Sequence, residues 1–218
     1  MRTCEAAGIE AFGAGGDLDA AARAARITAG GAELAIVGAL HPYAKYRVDG
    51  WGATVDGGGL LLLQEAPLAV AAEAAANADY RLLYPHWGDT YTGLTEGQQA
   101  DAALAMDLAF DAIVGHHSHN AQEASVVGEG AVLWSLGNAA FGTRGSFGDE
   151  HGHGLVARLV IAAGELLRFE VLPIRVNNRK VDFRAEPCPV EEAEQVLEGL
   201  SANYAASSIS GGMAVLPL

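Results

Sequence analysis

The stretch Ala112-Ile113-Val114-Gly115-His116-His117-Ser118-His119 decides how this chain is read. Three apolar residues suit a buried strand. A glycine then leads into three histidines within four positions, and neutral imidazole is a ligand for Zn, Cu, Fe and Ni. Two other strand-like runs also end in polar clusters. Tyr80 to Tyr84 leads into Pro85-His86-Trp87-Gly88, and Ala131 to Trp134 leads into Ser135-Leu136-Gly137-Asn138. Ligands of open α/β sheets collect outside the carboxyl ends of strands. If these strands are neighbours, His86, the histidine cluster and Asn138 meet at one edge.

Extended backbone sends alternate residues to one side. His117 and His119 are therefore expected to share a face across Ser118, with His116 turned away. The expected metal ligands are His117 and His119, joined by His86 from another strand. Surface-loop histidines are the plain alternative. It is weakened because one cluster follows a buried strand and His-Trp-Gly follows a second.

Outward from this stretch, helical and strand-like patterns alternate. Residues 6–16 suggest a short strand and turn, and Asp17 is a good N-cap for a helix over 18–25. Leu34-Ala35-Ile36-Val37, closed by Gly38, suggests a buried strand, and 41–59 a long loop containing His41. Pro67 sits at the start of an alanine-rich helix reaching Asn77. Thr95-Glu96-Gly97-Gln98 fits a capping box, opening a helix with Ala100, Ala103, Leu104 and Leu108 on one face and Asp101 solvated. After the histidines come two hairpin-like pairs, 124–127 with 131–134 and 155–161 with 166–174. Residues 191–200 close with helical spacing. Strand–helix alternation followed by hairpins predicts a layered α/β domain with a mixed sheet.

At 218 residues the chain corresponds to one domain with at most a small appendage and can bury a core without staples. The net charge of −14 argues against nucleic acid, whose phosphates need Lys and Arg clusters. Cys4 and Cys188 lie far apart and have no metal-ligand spacing. No signal peptide or spanning apolar run is visible. His151 and His153, flanking Gly152 beside Asp149 and Glu150, suggest a polar loop, with a second metal contact as the alternative, and Arg144 suggests a solvated loop residue, with contact to an anionic substrate as the alternative. Trp87 and Phe141 read as packing aromatics or pocket linings. No nucleophile elbow, phosphate loop or dinucleotide fingerprint occurs.

Several motifs resemble the bacterial poly-γ-glutamate capsule synthesis (CapA-type) family, a branch of the calcineurin-like metallophosphoesterases. These are Gly8-Ile9, Gly13-Ala14-Gly15, His86-Trp87-Gly88-Asp89-Thr90-Tyr91, Gln98-Gln99, Gly115-His116-His117-Ser118-His119 with Gln122, Ser135-Leu136-Gly137-Asn138 and Leu172-Pro173-Ile174. Ser118 stands where the family usually has proline. The resemblance implies a metallophosphoesterase-like mixed sheet with flanking helices. Residues 1–185 would be the C-terminal portion of that domain, and 186–218 a helix and tail packing on it. It also implies a binuclear site of divalent metal (Mn, Fe or Zn), with His86, His117 and His119 as ligands and Asn138 orienting substrate or ligand. The family's early Asp motif and its Asn-His pair have no counterpart here, so the chain reads as N-terminally truncated.

Two functions are carried forward. One is a metal-dependent hydrolase-like protein of capsule or poly-γ-glutamate biosynthesis. It would act on an anionic polymer or a small phosphorylated or amide substrate. The other is a non-catalytic remnant or capsule-assembly module, with at most one weak metal site, working with capsule-export machinery. A histidine-rich metal binder of unrelated function remains as the plain third option. Family members are often membrane-associated or extracytoplasmic, and this chain shows no targeting segment.

Overall fold

The structure is a computed structural model that describes residues 2–43, 50–140, 152–200 and 208–217. In chain order its elements are α1 (Arg2–Ala6), β1 (Ala14–Gly15), α2 (Leu18–Ala21), β2 (Ala25–Ala29), β3 (Ala32–Leu40) and β4 (Gly59–Leu60). They continue with α3 (Glu65–Ala75), β5 (Tyr80–His86), α4 (Glu96–Asp107), β6 (Ala112–Val114), β7 (Ala124–Val127) and β8 (Gly130–Leu133). The last are β9 (His153–Ala162), β10 (Glu165–Arg175), α5 (Asn178–Val181), β11 (Glu186–Pro187), α6 (Val190–Leu200), β12 (Ser208–Ser210) and β13 (Met213–Pro217).

The larger sheet has the order β2-β3-β5-β6-β8-β7. Strands β3, β5, β6 and β8 run parallel, and antiparallel β2 and β7 close the two edges. Successive side chains of a strand point to opposite faces, and here both faces are covered. Ala35, Val37, Leu83, Ile113, Val132 and Trp134 pack on one side with Ala21 and Ala22 at α2, Leu68 and Ala71 of α3 and Ala102 and Ala105 of α4. Their neighbours Leu34, Leu82, Ala112, Val114, Ala131 and Leu133 pack on the other side against Phe169 and Val171 of β10, Leu197 of α6 and Ala214 of β13. Double burial explains why these strands read as unbroken apolar runs rather than alternating ones. A side chain such as Ile113 or Leu83, each with no exposed surface, contributes roughly 2–3 kcal/mol.

The second sheet, β11-β10-β13-β12 with β9 also paired to β10, is antiparallel throughout. The segment after residue 185 is woven into it, since β13 lies between β10 and β12. The buried Glu170 of β10 is held by Arg158 across the strand pair and by Arg168 on its own strand. These two arginines hold its carboxyl below the usual range.

The mixed α/β architecture agrees with the sequence, and several local expectations are refined. Asp17 caps α2 through its Oδ1, which accepts from the Ala20 amide at 2.7 Å. The helix is short, however, and Ala25 begins an edge strand that sequence pattern missed. Thr95 and Gln98 form both halves of the capping box. The buried face of α4 is Gln98, Asp101, Ala102 and Ala105, not the expected one. Alanine marks neither face strongly, and the polar pair on this face finds partners inside. Cys4 and Cys188 are both free thiols. Among the described residues, no helix is long and apolar enough to cross a membrane.

Candidate metal centre

Four parallel strands end at the same edge of the larger sheet, and each hands over a polar group there. β3 leads into His41, β5 ends on His86, β6 leads through Gly115 into His116 to Ser118 and His119, and β8 leads through Trp134 into Ser135 and Asn138. Ladder bonds continue past the strand ends. The His116 amide donates to the Pro85 carbonyl and the Trp87 amide to the His116 carbonyl, each at 3.1 Å, while the His41 amide donates to the His86 carbonyl at 3.0 Å.

The expected ligands come together as a row of rings. His86 and His117 have centroids 4.1 Å apart, and His117 and His119 5.9 Å apart. His116 stacks on Tyr84 at 4.4 Å and meets His86 edge-on. The alternation argument does not explain this arrangement. His117 and His119 have φ of +99° and +61°, so the segment is a turn and not a continued strand. Positive φ at two non-glycine residues is a costly backbone that surrounding structure must impose.

Asn138 is buried and bonds to His119 twice. Its Nδ2 donates to the His119 carbonyl at 3.1 Å, which fixes the amide orientation, and its Oδ1 lies 2.7 Å from His119 Nδ1. Nδ1 must therefore carry the proton, leaving the lone pair on Nε2. This is how a second group sets the tautomer of a ligating imidazole. Gly154 is required beside this pair, because a Cβ there would lie 1.8 Å from the Asn138 carbonyl oxygen.

Burial, and then the neighbouring His116 and His119, lower the His86 pKa from 6.5 to about 4. Burial and then His117 bring His116 to about 4 as well, against the opposing bond to the Pro85 carbonyl. Both imidazoles bind protons more weakly in the folded chain than in the unfolded one. Between about pH 6.5 and pH 4 the unfolded chain thus takes up more protons, and stability falls as pH drops through that window. The urea midpoint is expected to be clearly lower at about pH 5 than at about pH 7. An unchanged midpoint would show that these rings are not held neutral by the fold.

Sequence reading missed His41 and Asp101. Asp101 was expected in solvent, yet it is buried with its Oδ2 2.5 Å from His41 Nδ1. The Tyr43 ring lies between His41 and His117, at 5.0 and 5.3 Å, and the Tyr43 hydroxyl donates to the Gly88 carbonyl. The available signal was that His41 follows a buried strand just as His86 does. Below these groups, Gln98 Nε2 donates to Gln122 Oε1 at 2.9 Å. Trp87 belongs to the core, where it stacks on Trp134 at 5.6 Å and has no exposed surface. His153 begins β9 rather than lying in a loop. Phe141, Arg144, Asp149, Glu150 and His151 lie outside the described residues.

An all-imidazole set suits a divalent ion of the Zn or Fe type. Asn138 leaves the His119 lone pair on Nε2, and burial favours the neutral form of His86, which are the forms in which imidazole is able to coordinate. The row is not a closed cup, however. Among the described residues, the group of three ligand atoms lying within 4.8 Å of one another is His153, Cys188 and Glu192. His86, His117 and His119 would need side-chain rotation to share one ion.

A sequence profile described as "Bacterial capsule synthesis protein PGA_cap" matches residues 1–143. The chain is 28% identical over 212 residues to the "Probable polyglutamine synthesis accessory protein" of Mycobacterium tuberculosis (strain ATCC 25618 / H37Rv), covering 91% of this chain and 56% of that protein. It is 30% identical over 131 residues to the "PGA biosynthesis protein CapA" of Bacillus subtilis (strain 168), covering 57% of this chain and 31% of that one. Against the "Capsule biosynthesis protein CapA" of Bacillus anthracis it is 41% identical over 66 residues, or 30% of this chain and 16% of that protein. At its longest match, the chain spans about half the length of its curated relatives.

Proposed function

The chain belongs to the bacterial capsule synthesis protein PGA_cap family, and from that premise we propose that it serves the biosynthesis of a poly-γ-glutamate-type capsule polymer through a metal-assisted, hydrolase-like site. The observation that carries this reading is the delivery of His86, His117, His119 and Asn138 to one sheet edge, with Asn138 holding the His119 tautomer. His86, His117 and His119 would hold a divalent metal of the Mn, Fe or Zn class, which when bound supplies Lewis acidity toward a carbonyl or phosphoryl oxygen. His86 is available as a neutral donor at ordinary pH because burial disfavours its cation. Asn138 orients the His119 ring. An anionic polymer meets a chain of net charge −14, so contact must come through the metal and local cations rather than the overall field.

A second reading, a non-catalytic capsule-assembly module, is favoured by the donor chemistry. Among the described residues, the charged groups acting on His86 are the imidazoles of His116 and His119, whereas a binuclear catalyst needs bridging oxygen ligands. The two readings separate when the chain, loaded with Mn²⁺ or Zn²⁺, is incubated with poly-γ-glutamate and, separately, with a generic phosphodiester. The first reading expects metal-dependent shortening of the polymer that His86→Ala removes, with phosphodiester turnover below the roughly 1 s⁻¹ floor of ordinary enzymes. Polymer left intact at every metal concentration would sink the hydrolase reading in favour of the module. Fast phosphodiester turnover that depends on His86 would overturn the assignment to a capsule polymer.

A further inference from the structure

The second sheet carries a group of metal-ligating side chains that the proposed site does not use. His153 opens β9, Cys188 follows β11, and Glu192 lies in the first turn of α6. One donor atom from each lies within 4.8 Å of the other two. His153 Nε2 is 2.8 Å from Glu192 Oε1, and Arg175 donates from Nε to both carboxylate oxygens at 2.9 and 3.0 Å. His153 and Glu192 border a cavity of about 430 Å³ that is also lined by Arg175, Asn177, Lys180 and Glu186.

We propose that His153, Cys188 and Glu192 form a second, mononuclear metal site for a zinc-like ion, with its fourth position open to the cavity. The donor mixture is the reason. One thiolate, one imidazole and one carboxylate suit borderline-soft Zn²⁺, and three protein ligands with an open position is its non-structural arrangement. With metal–nitrogen and metal–sulfur bonds of about 2.0 and 2.3 Å, tetrahedral donors sit about 3.5 Å apart. Side-chain adjustment within the present separations reaches that spacing. The three ligands come from separate elements, so the backbone that positions them is fixed by the sheet and by α6. Burial and Glu192 push the Cys188 thiol up to about 11, so its proton leaves to solvent as the metal–sulfur bond forms. Arg175 is the competitor, since it holds both carboxylate oxygens of Glu192. This site shares no ligand with the one at His86, His117 and His119.

The test uses the full chain, reduced and titrated with Zn²⁺ or Co²⁺ alone. In the double variant His86→Ala/His117→Ala, about one equivalent of metal is expected to remain. The Co²⁺ form of the chain should show thiolate-to-cobalt charge-transfer absorption that Cys188→Ser abolishes and Cys4→Ser retains. Arg175→Gln frees Glu192 and should tighten binding by about tenfold or more, as removal of a charge-assisted bond allows. An ion-pair network with no metal role would lose stability in that variant without gaining affinity. Should Cys188→Ser fold poorly, alkylation of the unaltered chain decides the matter, since Zn²⁺ should slow modification of Cys188 while Cys4 serves as internal control. No charge-transfer band, a band that survives Cys188→Ser, or unslowed alkylation would each overturn the site.

Discussion

Replacing His117 with alanine is expected to lower the affinity of the sheet-edge site for Zn²⁺ or Mn²⁺ by about 100-fold or more. Loss of groups that merely orient ligands already costs 10- to 100-fold. His117 is the middle ring of the row, 4.1 Å from His86 and 5.9 Å from His119. Without it the ring that links the two outer imidazoles is gone. His116→Ala is the control: that ring stacks on Tyr84 and meets His86 edge-on, outside the proposed ligand set, and its loss should leave metal content nearly unchanged. Both variants belong in a Cys188→Ser background, so that the second site does not contribute. Thermal unfolding gives an independent readout, since a ligand at 100 times its Kd stabilises by about 2.7 kcal/mol. The metal-induced rise in Tm should be present in the background protein and in His116→Ala, and absent in His117→Ala. Equal metal content in all three would remove His117 from the ligand set.

The second large effect concerns the fold beneath the site. Gly115→Ala is expected to destabilise the chain by about 3–5 kcal/mol, combining overpacking with a lost buried hydrogen bond. A Cβ at this position would lie 2.2 Å from both the Trp134 carbonyl oxygen and Trp87 Nε1. These two atoms are themselves hydrogen-bonded at 2.8 Å, so the new methyl would intrude on an existing contact. The backbone has nowhere to retreat. Its amide donates to the Leu133 carbonyl at 2.8 Å and its carbonyl accepts from the Leu136 amide at 3.0 Å. The urea midpoint should fall with an unchanged slope, and Tm should drop by roughly 10 °C. Gly199→Ala in α6 makes the contrast, because a Cβ there meets nothing within 4 Å and alanine favours helix by up to about 1 kcal/mol. Equal effects in the two variants would show that the indole–carbonyl contact does not constrain Gly115.

Much of this architecture is written in short-range pattern. A doubly buried strand must be apolar where both faces are covered, so Leu34 to Val37, Leu82-Leu83 and Ala112 to Val114 announce themselves. The capping box at Thr95 is equally local, with its bonds inside three residues, and each of the two hairpins pairs strands that are adjacent in sequence. The motif trio around His86, His117–His119 and Asn138 pointed to the family that the profile match shows. Where the pattern argument went astray, the cause is also local. Alternation assumed an extended chain after Val114, whereas His117 and His119 adopt positive φ. In α4, alanines on every side left the helix without a marked face.

Residue order alone makes apolar strands end in histidines and makes strand alternate with helix. Those properties depend on residue spacing, which survives in any unfolded copy of the chain. Which strand ends become neighbours is set by packing, through the order β2-β3-β5-β6-β8-β7. Packing likewise decides that Asp101 turns inward to His41 across 60 residues of sequence, and that His153, Cys188 and Glu192 share one corner of the second sheet. Such meetings depend on packed layers bringing distant segments together. A buried carboxylate is stable only beside the partner that packing supplies, and no spacing along the chain encodes that partner.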